Sequence, residues 1–411
     1  MQVLHERCCG LDVHKTKVVA CLITPGKGDK PQKEIRTFGT TTGELNLLSD
    51  WLSTAGCTHV AMESTGVYWK PVYYVLEGNF ELLVVNAKDI KQVPGRKTDV
   101  SDAEWIAELL RHGLLKSSFI PPKPIRELRD LTRHRKTLVR EKTRVINRIQ
   151  KVLEDANIKL ASVASNVMGA SGRAILKALA QGVNDPYALA ELAKGSLRSK
   201  LPELEKALAG VAESHHRFLL QQHLAHIDFL EQAIARVEEE IEERMRPFAK
   251  AAERLMTIPG VKKQAAWTII AEIGVDMGVF PSHKHLASWA GLCPGNNESA
   301  GKRKTGRTRK GNPWLREVLV EVAWAASRAR KTYFFAQYHR LAARRGKKRA
   351  LVAVAHSILV IVYHLLTKGT TYSELGPDFY DHLNHQRLLK YHLRRLAELG
   401  FRVTAEPEVA A

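Results

Sequence analysis

Apolar residues follow two different rhythms along this chain. From about Cys8 to Val85 they come in short β-rich runs: Val18-Val19-Ala20-Cys21-Leu22-Ile23, His59-Val60-Ala61-Met62 and Leu82-Leu83-Val84-Val85. Runs of that length and composition are sheet strands. Gly43 to Leu52 and Tyr68 to Leu76 carry helical spacing between them. The alternation predicts an α/β domain with a largely buried sheet, closed by a helix from Asp102 to Leu115.

Pro121, Pro122 and Pro124 then break the chain, and Ile125 to Leu160 has no internal Pro or Gly, as a long helix requires. Ile125, Leu128, Thr132, Val139, Ile146, Ile149 and Leu153 keep roughly heptad spacing, and eleven Lys or Arg between Lys123 and Lys151 face three acids. One face is predicted to pack and the other to be strongly basic. A second long helix, about Glu203 to Met245, carries Leu220, Leu224, Ile227, Leu230, Ile234, Val237 and Ile241 at three- and four-residue steps, ending in acids from Glu238 to Glu243. That stripe suits a coiled-coil arm that dimerises or a helical hairpin that acts as a spacer, since both bury the same residues. Past Pro247 a mostly helical region runs to Leu366, interrupted by a Gly-rich basic loop between Gly291 and Pro313. The expected domains are therefore 1–120, 121–247, 248–370 and a polar tail, 371–411.

The charge narrows the partners. Lys and Arg number 63 against 43 Asp and Glu, a formal charge of +20, which calls for a polyanion, with nucleic acid first among them. Cys8, Cys9, Cys21, Cys57 and Cys293 form no C-x-x-C pair, so neither a zinc site nor a disulfide framework is indicated. The run from Ala350 to Leu366 contains His356 and His364 and is short for a membrane span of ~20 residues. It reads as a buried helix, and a cytoplasmic protein without a membrane partner is expected.

Asp12 lies where a first strand begins, in Gly10-Leu11-Asp12-Val13-His14-Lys15, and Glu63 where another ends, in Met62-Glu63-Ser64-Thr65-Gly66. A carboxylate among apolar strand residues needs a counter-charge, which a divalent metal supplies along with chemistry. Asp99 and Asp102 stand three apart at a helix start, where they share a face but could equally be helix caps. Four such acids converging on one sheet edge can hold two Mg²⁺ ions ~4 Å apart.

These segments resemble one family: insertion-sequence transposases with a RuvC-like DEDD domain at the N-terminus and a serine transposase domain at the C-terminus. Gly-Leu-Asp-Val-His-Lys at 10–15, Met-Glu-Ser-Thr-Gly at 62–66 and Gly-Arg-Lys-Thr-Asp-Val-Ser-Asp-Ala at 95–103 look like its acidic motifs. The resemblance runs from about residue 8 to 370. It implies an RNase H-like fold in which Asp12, Glu63, Asp99 and Asp102 are the catalytic, Mg²⁺-binding tetrad.

Thr257-Ile258-Pro259-Gly260-Val261 has the look of a helix-hairpin-helix turn that aims N–H groups at a phosphate, although a Pro-Gly turn between packed helices reads the same. From Ser299 to Pro313 there are six basic residues, three glycines and no acid. Lys302, Arg303, Lys304, Arg307, Arg309 and Lys310 there, with Arg133, Arg140, Arg144 and Arg148 on the basic helix, are the expected nucleic-acid contacts. Ser299 has no neighbouring His-Asp pair and by itself is one serine among several. Gly-Leu-x-Pro at 291–294, Ser-x-Gly at 299–301 and Gly-Asn-Pro-Trp-Leu-Arg at 311–316 are similar to the family's serine motif, with Ala300 where many members carry Gly or Ser. The resemblance implies that Ser299 attacks the DNA phosphate to form a covalent phosphoserine. It also implies a structured non-coding RNA that pairs with donor and target DNA, and a prokaryotic, nucleoid-associated setting. Since long helical arms separate the two catalytic regions in the sequence, a dimer or tetramer is expected. The rival readings are a RuvC-like metal-dependent junction nuclease that hydrolyses DNA, and a nucleic-acid-binding protein whose acids are structural.

Overall fold

A computed structural model describes residues 2–26, 30–87, 90, 101–295, 297–383 and 385–402. The chain divides into two compact units, Met1–Ile120 and Pro121–Ala411.

The first unit is built on five strands in the order β3-β2-β1-β4-β5: β1 (Cys8–Val13), β2 (Lys17–Thr24), β3 (Gln32–Gly39), β4 (His59–Glu63) and β5 (Glu81–Val85). β1 pairs antiparallel with β2 and parallel with β4, and β4 is parallel to β5. Side chains alternate between faces along a strand, and here the parity is consistent. Cys9, Leu11, Val13, Val60 and Met62 pack with Leu45, Leu48 and Leu52 of α1 (Thr42–Thr54) and with Val72 and Leu76 of α2 (Trp69–Leu76). Cys8, Ala61 and Val85 pack on the opposite face with Ala103, Ile106 and Ala107 of α3 (Asp102–Arg111). A sheet covered on both sides is the expected α/β architecture. α3 ends at Arg111, with His112 as its C-cap and Gly113 at φ 65°, short of the expected Leu115. β3 has no counterpart among the predicted strands, because its sequence, QKEIRTFG, is mostly polar and exposed, as an edge strand can be.

The second unit is helical, as expected of this part of the chain. α4 (Lys123–Asp155) begins with Pro at its first turn, where a missing N–H costs nothing. Its C-terminal half, through Val145, Ile149 and Val152, shares a core with Ile175 and Leu179 of α5 (Ala170–Gln181) and with Leu220, Leu224, Ile227 and Leu230 of α6 (Ser214–Met245). The predicted arm helix is thus shorter at its start: Leu201–Leu208 is a separate helix, and Gly210 lies against the backbone of Ala156 and Asn157. Of the apolar stripe of α6, Leu220, Leu224, Ile227, Leu230 and Ile241 are buried within this chain and Ile234 and Val237 are half-buried, as in a helical hairpin. The N-terminal half of α4 packs instead against α8 (Lys263–Ile273), which follows α7 (Ala249–Met256). Then come α9 (His283–Trp289), the strands β6 (Asn297–Ser299) and β7 (Lys302–Thr305), and α10 (Pro313–Ala326), α11 (Tyr333–Arg345) and α12 (Lys347–Lys368). α12 is long and apolar enough to cross a membrane, but Val354, Ile358, Leu359 and Val362 are buried by its packing on α7, α9, α10 and α11.

Candidate catalytic carboxylates and the serine hairpin

Strand parity puts two of the predicted acids on one face of the sheet, and a third opens the helix that covers that face. Asp12 lies two residues beyond Gly10, and Glu63 two beyond Ala61, so both project to the α3 face of the sheet. The parallel register of β1 with β4 runs as far as Leu11 opposite Met62, and each acid is the next residue, at the C-terminal ends of neighbouring strands. Asp102 opens α3 on that face, with Ser101 as the N-cap accepting from Glu104 N. Gly10 brings the helix close: a Cβ there would stand 2.3 Å from the carbonyl oxygen of Ala103 and 2.3 Å from the nitrogen of Ala107. Asp99 lies outside the described residues.

Asp12 is about a quarter exposed, and its Oδ2 lies 3.0 Å from His14 Nε2. Glu63 Oε1 accepts from Thr65 Oγ1 at 3.1 Å. Among the described residues no Lys or Arg pairs with either carboxylate. Hard oxygen donors left without a cationic side chain suit Mg²⁺, which favours carboxylates. Their oxygens are not drawn tightly together: among the described residues, the trio of ligand side chains within 4.8 Å of one another is Asp155, His215 and His216. That trio is structural. His216 Nδ1 accepts from Glu213 N at 3.2 Å, so Nε2 holds the proton that faces Asp155 Oδ2 at 2.9 Å, which leaves neither nitrogen for a metal. The cysteines offer nothing either, being unpaired, with burial pushing the Cys8 thiol up to about 12 and Cys21 to about 11.

Ser299 lies on a folded β-ribbon, where the sequence suggests only a basic loop. The ribbon opens where Gly291 (φ 69°) and Gly311 press together, since a Cβ on Gly311 would lie 2.3 Å from Gly291 N. It continues through the Pro294–Thr308 bridge and the hydrogen bond from Gly295 N to Arg307 O, 2.9 Å, into the β6–β7 pair. Ser299 pairs with Lys302 across a two-residue turn in which Ala300 has φ 49° and Gly301 φ 72°. Positive φ at both central positions marks a type I′ turn, where Gly is at ease and Ala is strained. The side chains of Ser299, Arg303 and Lys304 lie outside the described residues. Lys302, Arg307, Arg309 and Lys310 are exposed along the ribbon.

The basic helix departs from expectation. Arg133 makes a bidentate pair with Glu272, Nε to Oε1 2.7 Å and Nη2 to Oε2 2.8 Å, and Glu272 is fully buried. Arg140 pairs with Glu317, and both guanidiniums lie over the Trp314 ring, at 5.6 and 4.9 Å. Arg135, Lys136 and Lys142 likewise meet Glu238, Glu321 and Glu231. A helix expected to present its cations to a phosphate backbone thus uses many of them on neighbouring acids. Arg144 and Arg148 do stand exposed.

Gly260 has φ 87°, and a Cβ there would meet Val322 O at 2.8 Å and Ala326 N at 2.9 Å. Close packing on α10 accounts for this glycine, as in a Pro-Gly turn between packed helices. The pairing of Glu272 with Asn312 is not marked in the sequence. A lone acid in the apolar helix AAWTIIAEI was the available signal.

A model of DEDD transposases of the IS110 type, described as "Transposase", matches residues 9–158, and one described as "Transposase IS116/IS110/IS902 family" matches residues 252–340. A "Probable family 20 transposase" of Pseudomonas aeruginosa is 27% identical over 323 residues, 76% of this chain and 85% of its own length. The "Transposase for insertion sequence element IS1111A" of Coxiella burnetii is 29% identical over 289 residues, 68% of this chain and 69% of its own. A "Pilin gene-inverting protein" of Moraxella bovis is 29% identical over 126 residues, 30% of this chain and 39% of its own.

Proposed function

This chain is a transposase of the IS110/IS116/IS902 family, and from that premise we propose that it recombines insertion-sequence DNA through an acidic Mg²⁺ site and a serine nucleophile. One observation carries the acidic half: Asp12 and Glu63 share one sheet face at the ends of β1 and β4, and Asp102 opens α3, the helix packed on that face. With Asp99 they would hold the metal, within an RNase H-like domain. When bound, Mg²⁺ supplies charge neutralisation at a phosphodiester and lowers the cost of deprotonating an attacking oxygen.

Ser299 Oγ attacks phosphorus in this reading. The P–O3′ bond breaks, its electron pair leaves with the 3′ oxygen, which takes up a proton, and the phosphate stays on serine. Attack by a DNA 3′-hydroxyl then forms a new P–O bond, returns the electron pair to Ser299 Oγ and restores the serine. Phosphate-ester energy is conserved, so joining needs no external energy source. That chemistry fits a family whose relatives include a protein named for inverting a gene. Lys302, Arg303, Lys304, Arg307, Arg309 and Lys310 would neutralise the DNA backbone, with Arg144 and Arg148 offered to DNA or to a guide RNA. RNA guidance, a dimer or tetramer, and cytoplasmic action at the nucleoid belong to the same proposal.

The test of the acidic half is cleavage of element-end DNA with Mg²⁺ by Asp12→Asn, Glu63→Gln and Asp102→Asn. Each is expected to lose at least ~10³-fold in rate while keeping DNA affinity. Cleavage near the wild-type rate in any of the three would remove that acid from the site.

A further inference from the structure

The ribbon that carries Ser299 is held at its return end by a buried charge. Asn312 caps α10, its Oδ1 accepting from Trp314 N at 3.0 Å and Leu315 N at 3.1 Å. Its remaining amide donates from Nδ2 to Glu272 Oε2 at 2.6 Å. Glu272, on α8, is fully buried and receives the Arg133 fork; Arg129 Nε lies 3.5 Å from the same carboxylate. Arg129 also donates to the main-chain oxygens of Ala271 and Glu272, at 3.1 and 2.5 Å. Burial lowers the Arg129 pKa to about 10, against the pull of Glu272. One carboxylate thus ties α4, α8 and the first turn of α10 together where the ribbon re-enters the fold.

We propose that Glu272 and Asn312 are positioning residues for strand transfer: their hydrogen bond fixes the ribbon root and so aims the Ser299 turn. This rests on the reading of Ser299 as nucleophile. Two features make the root decisive. Asn312 follows directly on Gly311, whose backbone is pressed against Gly291, so one side chain sets both edges of the ribbon. Gly291 to Ser299 is eight steps of chain, at most about 26 Å at ~3.3 Å per residue, so a tilt of about 5° would move the tip by up to about 2 Å. Misplacement of a nucleophile by ~1 Å costs on the order of 100-fold. A purely structural pair would lower stability without singling out the chemistry.

The test uses the full chain and three variants: Asn312→Asp, Glu272→Gln and the double swap E272Q/N312D. Aspartate caps a helix as well as asparagine, so Asn312→Asp keeps α10 but sets two carboxylates against each other. The swap restores one amide and one carboxylate in reversed order. Hydrogen exchange of amides 295–308 reads the anchoring without any chemistry. Single-turnover formation of protein-linked element-end DNA reads the aim. Asn312→Asp is expected to raise ribbon exchange at least about tenfold with α4 and α8 unchanged, and to slow adduct formation about 100-fold while DNA affinity stays within about threefold. The swap is expected to recover both. Unchanged ribbon exchange in Asn312→Asp, or a swap that recovers neither readout, would overturn the proposal. A ribbon that loosens and recovers as stated, in a protein whose wild type forms no serine-linked DNA, would strike down the nucleophile reading and the positioning role with it.

Discussion

The carbonyl oxygen of Ala103 lies 2.3 Å from the point where a Cβ on Gly10 would stand. Glycine at this position lets α3 rest directly on β1 and places Asp102 on the face that carries Asp12 and Glu63. Gly10→Ala is expected to push the helix off the strand and destabilise the α/β unit by about 2 kcal/mol or more. Urea unfolding of the full chain checks it, and an unchanged midpoint would show that α3 yields freely.

The turn bearing Ser299 holds Ala300 at φ 49°. A left-handed alanine costs roughly 1–2 kcal/mol, of which glycine's greater unfolded freedom returns about 0.5–1. Ala300→Gly is therefore expected to stabilise the ribbon by up to about 1.5 kcal/mol and to leave cleavage intact. Hydrogen exchange at residues 297–305 should slow; faster exchange would contradict the assigned turn.

Two groups of basic residues separate by their partners. Removing Arg307, Arg309 or Lys310 is expected to lower the slope of log K against log salt by about one for each phosphate no longer neutralised. Arg133→Ala should instead leave that slope alone and cost about 3 kcal/mol of stability, because it strips the fork from the buried Glu272 carboxylate. Salt titrations of DNA binding beside thermal melts distinguish them. A changed slope with unchanged stability in Arg133→Ala would return that residue to the DNA surface.

Much of this is legible in the sequence, for identifiable reasons. Strands β2, β4 and β5 and the buried stripe of α6 announce themselves because burial imposes periodicity on apolar residues. Glu63 stands out as a charge at a strand end, whereas Asp12, read as lying where a first strand begins, is next to last in β1 because the strand starts earlier, at the buried Cys8 and Cys9. β3 does not, since an edge strand needs few apolar residues and carries mainly Ile35 and Phe38. The pairing of Arg133 with Glu272 joins residues 139 apart, and no local pattern encodes such a partner. For the same reason a basic run on α4 looks like a nucleic-acid face when much of it answers acids elsewhere in the unit. The ribbon at 291–312 is hidden by its glycines and cations, which suit a loop equally well.

Acid should weaken the helical unit. Burial, with His283 nearby, holds His356 below its usual 6.5, and burial, His283 and then Lys368 do the same for His364. A histidine whose folded pKa is depressed favours the fold while neutral, so its contribution is complete above about pH 6.5 and is lost as pH falls below that value. Thermal midpoints are expected to fall between about pH 7 and pH 5, with a shallower fall in His356→Gln. A midpoint that rises on acidification would contradict this assignment.

In the proposed reaction a serine of this chain becomes covalently joined to DNA. The direct measurement incubates end-labelled element-end DNA, the element's flanking non-coding RNA and Mg²⁺ with the wild type, Ser299→Ala and Asp12→Ala, and resolves the products on a denaturing gel. A protein-linked DNA band is expected in the wild type, and both substitutions should abolish it. Free cleaved DNA that persists in Ser299→Ala would contradict this reaction and leave a metal-dependent nuclease in its place.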